Sequence, residues 1–117
     1  MKFRVEILSG KNIGIAELSG RLDAENSGAL QTSFALWQKQ AVFFVFDCIN
    51  LEFVDSSGLG AIVACLRKAL EHNGDIRLAA LGPKVSMVFD LTKAKKLFSI
   101  FPDTSGAIQS FGTGGAA

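Results

Sequence analysis

The densest cluster of residues able to do chemistry is Asp55-Ser56-Ser57-Gly58-Leu59-Gly60. It places an acid, two hydroxyls and two glycines directly after the apolar Phe53 and Val54 and directly before a helical pattern. At a helix N-terminus the first backbone N–H groups have no partner within the helix, and the dipole adds partial positive charge. A phosphate formed on a serine there would be well placed. Gly58 and Gly60 would leave space for another protein to approach closely. The same residues are also good capping chemistry, because Asp and Ser side chains accept hydrogen bonds from the first turn. Helix-end physics alone leaves both readings open.

The rest of the chain offers little competing chemistry. The only histidine, His72, lies four turns down the helix from Ser56, more than about 20 Å away at about 1.5 Å per residue. With no Gly-x-Ser-x-Gly elbow and no second base, a serine hydrolase is excluded. No Gly-x-x-x-x-Gly-Lys loop or Gly-x-Gly-x-x-Gly fingerprint is present, which removes the usual nucleotide-binding enzymes. Cys48 and Cys65 stand apart from each other and from any ligand spacing, so two buried, reduced thiols are expected. Neither a metal nor a cofactor is expected. Lys93, Lys95 and Lys96 form a short basic run, best read as a solvated helix end. With 12 basic and 11 acidic residues the net charge is +1, which argues against a dedicated nucleic-acid binder. The apolar runs at 41–46 and 59–66 are far shorter than the roughly 20 residues that span a bilayer. The N-terminus lacks a signal peptide's apolar centre, so a cytoplasmic protein with no membrane role is expected.

The elements that must position the cluster follow from periodicity. Residues 3–8 alternate, with Phe3, Val5 and Ile7 on one side, as in a strand. Gly10-Lys11-Asn12 forms the turn of a hairpin with a second strand over 13–18, closed by Gly20 and Asp23. Leu30, Phe34 and Trp37 mark one stripe of a helix that Asp23 is placed to cap. Residues 41–46 are apolar at both parities, the signature of a strand buried on both faces. Residues 48–54 read as a connection anchored by Ile49, Leu51, Phe53 and Val54. A helix over about 57–72 follows, with Leu59, Ile62, Val63, Leu66 and Leu70 inward and Gly74 as its stop. A strand over 76–81 leads to a third helix opened by Pro83, with Val85, Val88, Phe89 and Leu91 inward. A short strand over 97–101 and a last helix over about 103–111 complete the pattern, and 112–117 is expected to be a flexible tail. This order implies one α/β domain over 1–111: a mixed, mostly parallel sheet of about five strands with about four helices packed on it. It is expected to fold alone as a monomer.

Three segments resemble one family. Asn50-Leu-Glu-Phe-Val-Asp-Ser-Ser-Gly-Leu-Gly-Ala-Ile-Val resembles the signature of the STAS domain, specifically of the bacterial anti-sigma factor antagonists. Ser19-Gly20-Arg21-Leu22-Asp23 is similar to the family's Gly-Glu-Leu-Asp element, and Val88-Phe89-Asp90-Leu91 to its Leu-Phe-Asp-Ile segment. The resemblance in element order covers nearly the whole chain. It implies that Ser56, directly after the aspartate, is the phosphorylated serine. It implies a partner that is both anti-sigma factor and serine kinase and that holds the ATP. The unmodified protein would bind that partner and free the sigma factor, phosphorylation would end binding, and a serine phosphatase would reset it. This chain would then be no enzyme.

The implied partner-binding residues are Asp23, Asp55, Ser56, Ser57, Gly58 and Gly60, with Ser57 also expected to cap the helix. On the following helix, Ser57, Gly60, Ala61, Ala64 and Lys68 share one face and form a second candidate surface. A scaffold module of the same family, unphosphorylated within a sensory or transporter-associated complex, is the alternative; the intact Asp-Ser-Ser-Gly favours the switch. Two departures from the family pattern stand out: Arg21 replaces the usual glutamate, and no glycine follows the third helix in Leu91-Thr-Lys-Ala-Lys-Lys-Leu97.

Overall fold

The computed structural model describes residues 1–114 of the 117-residue chain. Five strands and four helices alternate in the order β1 (Lys2–Leu8), β2 (Lys11–Leu22), α1 (Ser27–Trp37), β3 (Phe43–Val54), α2 (Ser56–Glu71), β4 (Asp75–Ala79), α3 (Pro83–Leu91), a 3₁₀ turn (Ala94–Leu97), β5 (Ile100–Phe101) and α4 (Thr104–Gly114). The sheet order is β1-β2-β3-β4-β5. Only β1–β2 is antiparallel; the other three pairings are parallel.

The β1–β2 turn is Ser9-Gly10, both at positive φ (52° and 77°), with Leu8 opposite Lys11. Lys11 and Asn12, expected in the turn, therefore belong to β2. A two-residue loop with two left-handed residues matches the twist of the flanking strands. β1 is an edge strand, and its Ile7 is 76% exposed.

The expected two-sided burial of the central strand is observed. Phe44 and Phe46 point into a core formed with Leu30, Phe34, Ile62, Ile76, Leu78 and Phe89. Phe43 and Val45 face the opposite side, where Ile13, Ile15, Ala79, Ala107, Ile108 and Phe111 pack beneath α4. The first core is ordered by aromatic contacts: Phe34 meets Phe44 at 4.7 Å between centroids, and Phe3 stacks on Trp37 at 4.9 Å. Removing Phe34 to alanine would therefore cost about 3–5 kcal/mol.

Residues 48–54 are strand, not a connection, because β3 runs unbroken to Val54. Between Glu17/Ser19 and Gly20/Arg21 the β2–β3 register slips, and each slip sets one extra β3 residue against β2. Gly20, at φ +69°, sits at the second slip. β4 pairs with β3 only as far as Asp47, so the far ends of β2 and β3 project past it as a two-stranded ribbon.

Helix ends also differ in detail. α2 ends in a left-handed Asn73 (φ 61°), with Asn73 N–H donating to the Leu70 carbonyl and Gly74 N–H to that of Ala69. The stop is thus Asn73, the residue before the expected glycine. Leu70 and Leu91, expected inside, are 54% and 77% exposed. Leu97 lies in the 3₁₀ turn, and β5 holds only Ile100 and Phe101. α4 runs on to Gly114, so 112–114 of the expected tail are helical, and 115–117 lie outside the described residues.

Candidate functional site

The ribbon of β2 and β3 ends where α2 begins, at the carboxyl ends of parallel strands, the usual place for a site in an open α/β sheet. Val54 pairs with Leu22, and the next residue, Asp55, donates its N–H to the Leu22 carbonyl at 3.2 Å. Asp55 is extended (φ −99°, ψ −172°) and is the N-cap of α2. Its carboxylate accepts the Gly58 N–H at 2.9 Å, and its carbonyl accepts the Leu59 N–H at 2.9 Å. The capping chemistry thus resides in Asp55. Ser57, expected to cap, is the second helical residue and is exposed.

Ser56 is the first residue of α2, also exposed, and its hydroxyl makes no hydrogen bond to protein among the described residues. The backbone N–H groups of Ser56 and Ser57 are likewise unoccupied among those residues. An exposed hydroxyl is therefore presented beside two unpaired N–H donors on a helix end capped by Asp55.

The two glycines serve opposite purposes. A Cβ on Gly58 would lie 2.1 Å from the Leu22 carbonyl oxygen, so its smallness admits β2, and Gly58 is buried rather than open to a partner. Gly60 is exposed, with nothing within 4 Å of its missing Cβ. Along the expected helix face, Ser57, Gly60 and Lys68 are exposed and Ala64 is half-buried. Ala61 is 1% exposed and belongs to the core, because it falls on the inward stripe with Ile62 and Cys65. Lys68 pairs loosely with Glu71 at 4.0 Å.

Asp23 follows Leu22 and so stands next to Asp55 across the ribbon end. It does not cap α1, which starts at Ser27 with Asn26 in the cap position. Instead its carboxylate accepts the Glu25 N–H at 3.1 Å, and Asn26 Oδ1 accepts the Asp23 N–H at 2.8 Å, closing a tight turn. Arg21 lies 3.7 Å from the Asp23 carboxylate and covers the Phe53 ring at 4.0 Å. The substituted cation is thus laid on its strand neighbour, with its charge beside Asp23.

Asp90, within the segment that resembles Leu-Phe-Asp-Ile, pairs with Lys95 at 2.9 Å across the turn after α3, while Phe89 packs on Phe98. Lys93 holds the left-handed position in that turn (φ 61°), which accounts for the absent glycine. Sequence reasoning missed the role of this corner: with α2 it forms a groove that starts at Ser56 and includes Arg67, Thr92, Lys93 and Leu97. The absence of a glycine after the third helix was the available signal.

His72 caps the far end of α2, and the described residues hold no cluster of three potential metal ligands. Burial pushes the Cys48 and Cys65 thiols up to about 12, and Asp47 adds to the effect at Cys48, so neither is a nucleophile at neutral pH. No helix among the described residues is long and apolar enough to cross a membrane.

A mixed five-stranded sheet with an acid-capped serine turn at the carboxyl end of its central strands defines a small α/β domain. The STAS domain model matches residues 4–107, and the chain belongs to the STAS domain family. It is 27% identical over 110 residues to the anti-sigma F factor antagonist of Paenibacillus polymyxa, covering 92% of this chain and 94% of that protein. An anti-sigma factor antagonist from Mycobacterium paratuberculosis superimposes with a TM-score of 0.76 at 25% identity, over 93% of this chain and 92% of the other. SpoIIAA, a Bacillus cell fate determinant, shares the fold in both its unphosphorylated form (TM-score 0.76, 20% identity, 94% and 96% coverage) and its phosphorylated form (0.69, 20%, 94% and 99%).

Proposed function

We infer that this chain is an anti-sigma factor antagonist that works by partner switching, as a monomer in the cytoplasm, with Ser56 as its phosphorylation site. The observation that carries the reading is the free, exposed Ser56 hydroxyl on the first residue of an Asp55-capped helix. The existence of SpoIIAA structures in both phosphorylation states supports it by fold likeness. In its unmodified form the protein binds an anti-sigma factor that is also a serine kinase, and the sigma factor is freed. Ser56 Oγ then attacks the γ-phosphorus of ATP held by that partner. The bond from phosphorus to the ADP oxygen breaks, and the hydroxyl proton passes to a base of the partner. All catalytic groups belong to the partner, so this chain is substrate and docking surface; a serine phosphatase restores the hydroxyl.

The switch is electrostatic. A phosphoserine carries about −1.5 to −2 charges at neutral pH, large for a domain of net charge +1. Asp55 directly precedes Ser56, and Asp23 directly follows Leu22, whose carbonyl accepts the Asp55 N–H, so both add like charge at this end of the ribbon. The test is calorimetric titration of the protein into each serine kinase of this type from the same genome. Unmodified protein should bind one of them, and Ser56→Asp should bind that one at least about tenfold more weakly, about 1.4 kcal/mol. Equal affinity of the two forms contradicts the electrostatic release.

A further inference from the structure

The exposed side of α2 does not end in a flat surface. Together with the turn after α3 it forms an open groove of about 470 Å³, lined by Ser56, Leu59, Val63, Arg67, Lys93 and Leu97 among others. Its floor is apolar, and Gly60 keeps it open because no side chain fills that position. Two cations flank it, Arg67 and Lys93, and neither makes an ion pair among the described residues. No carboxylate lines it; the nearby Asp90 is taken by Lys95 at 2.9 Å. Lys93 is held in a left-handed backbone conformation (φ 61°, ψ 14°) that glycine occupies without strain. A lysine kept there places a positive charge on the groove wall at a conformational disadvantage. From Ser56 to Arg67 the groove follows about three helical turns, about 16 Å.

We propose that this groove receives an acidic amphipathic helix of the protein partner, with that helix's apolar stripe on Leu59, Val63 and Leu97 and its carboxylates on Arg67 and Lys93. For the partner's identity this rests on the partner-switching reading. Charge complementarity selects the occupant: unpaired cations beside an apolar floor match an acidic amphipathic segment and reject a basic one. It also supplies a reason for release. A phosphate on Ser56 puts negative charge at one end of the groove, where it repels the carboxylates of the entering partner helix.

The test uses the full chain and two synthetic peptides of about 15 residues, a length at which isolated helices are marginal. Both carry the same leucine stripe; one has glutamates on its flanks, the other lysines. In a nuclear magnetic resonance titration, the glutamate peptide should shift the resonances of Leu59, Val63 and Leu97, and the lysine peptide should not. Arg67→Glu should weaken binding at least about tenfold, and Lys93→Gly, which suits the turn, about threefold or more. Any of these results overturns the proposal: no groove shifts with the glutamate peptide, equal binding by the lysine peptide, or unchanged affinity in Arg67→Glu. Competition by phosphatidylglycerol vesicles for the same resonances also overturns it, in favour of a lipid surface. Phosphorylation at Ser56 without peptide binding leaves the switch and removes the groove, whereas peptide binding without phosphorylation does the reverse.

Discussion

At the scale of single residues, Asp55 and Ser56 divide the work between structure and chemistry. Asp55 accepts the Gly58 N–H, so Asp55→Ala should lower stability by about 1 kcal/mol in urea unfolding. Asp55→Asn should restore most of that, since asparagine caps as well, while removing one negative charge from beside Ser56. Ser56→Asp adds a carboxylate at the positive end of the helix dipole and next to Asp55, effects of opposite sign. Its stability should stay within about 0.5 kcal/mol of wild type, so any loss of binding is not unfolding. The proposed acceptor, Ser56, is named from family resemblance, while residue types alone mark only its loop. The capping residue was not, because Asp and Ser at successive positions all satisfy the same spacing rule, and only backbone geometry selects Asp55. The expected Asp23 cap fails for a related reason: the chain makes one more turn before α1 begins at Ser27.

At the scale of elements, the site depends on how α2 is fastened to the ribbon. Gly58 is the contact point, where an added Cβ would clash with the Leu22 carbonyl oxygen. Gly58→Ala should therefore destabilise by about 1–3 kcal/mol. Gly60→Ala, two residues along and open to solvent, should stabilise the helix by about 0.5–1 kcal/mol and narrow the groove. Thermal unfolding of the two variants side by side checks both signs. The ribbon also shows where periodicity fails. Buried positions in the second half of β3 fall at Cys48, Leu51 and Val54, a spacing of three. Two register slips against β2 destroy the strand period of two, so the segment looked like a connection. The first half of β3 has no slip, and its two-sided burial was read correctly.

At the scale of the molecule, the layers agree with the expected α/β sheet, with α4 alone covering the second face. Near-neutral net charge hid an uneven surface. Most ion pairs are local, such as Arg4–Glu6 and Lys95–Asp90, and leave Arg67 and Lys93 unpaired at the groove. No one-dimensional reading brings those two together, because they come from α2 and the turn after α3. The buried thiols make global stability depend on alkaline pH. In the unfolded chain they ionise near 9, in the folded protein near about 12. Their contribution is thus complete below pH 9 and is lost as pH rises from there toward 12. Stability should fall by about 1.4 kcal/mol per thiol at pH 10 relative to Cys48→Ala and Cys65→Ala controls, measured by urea unfolding at pH 8 and pH 10.

The central claim, that Ser56 is the acceptor of a partner-borne phosphoryl group, is tested most directly by intact-mass measurement after incubation with ATP and the serine kinase that binds this protein. The wild-type chain should gain the mass of one phosphate, and Ser56→Ala should gain none. A wild-type chain that stays unmodified by every such kinase, or a Ser56→Ala variant that still gains the phosphate, contradicts the account.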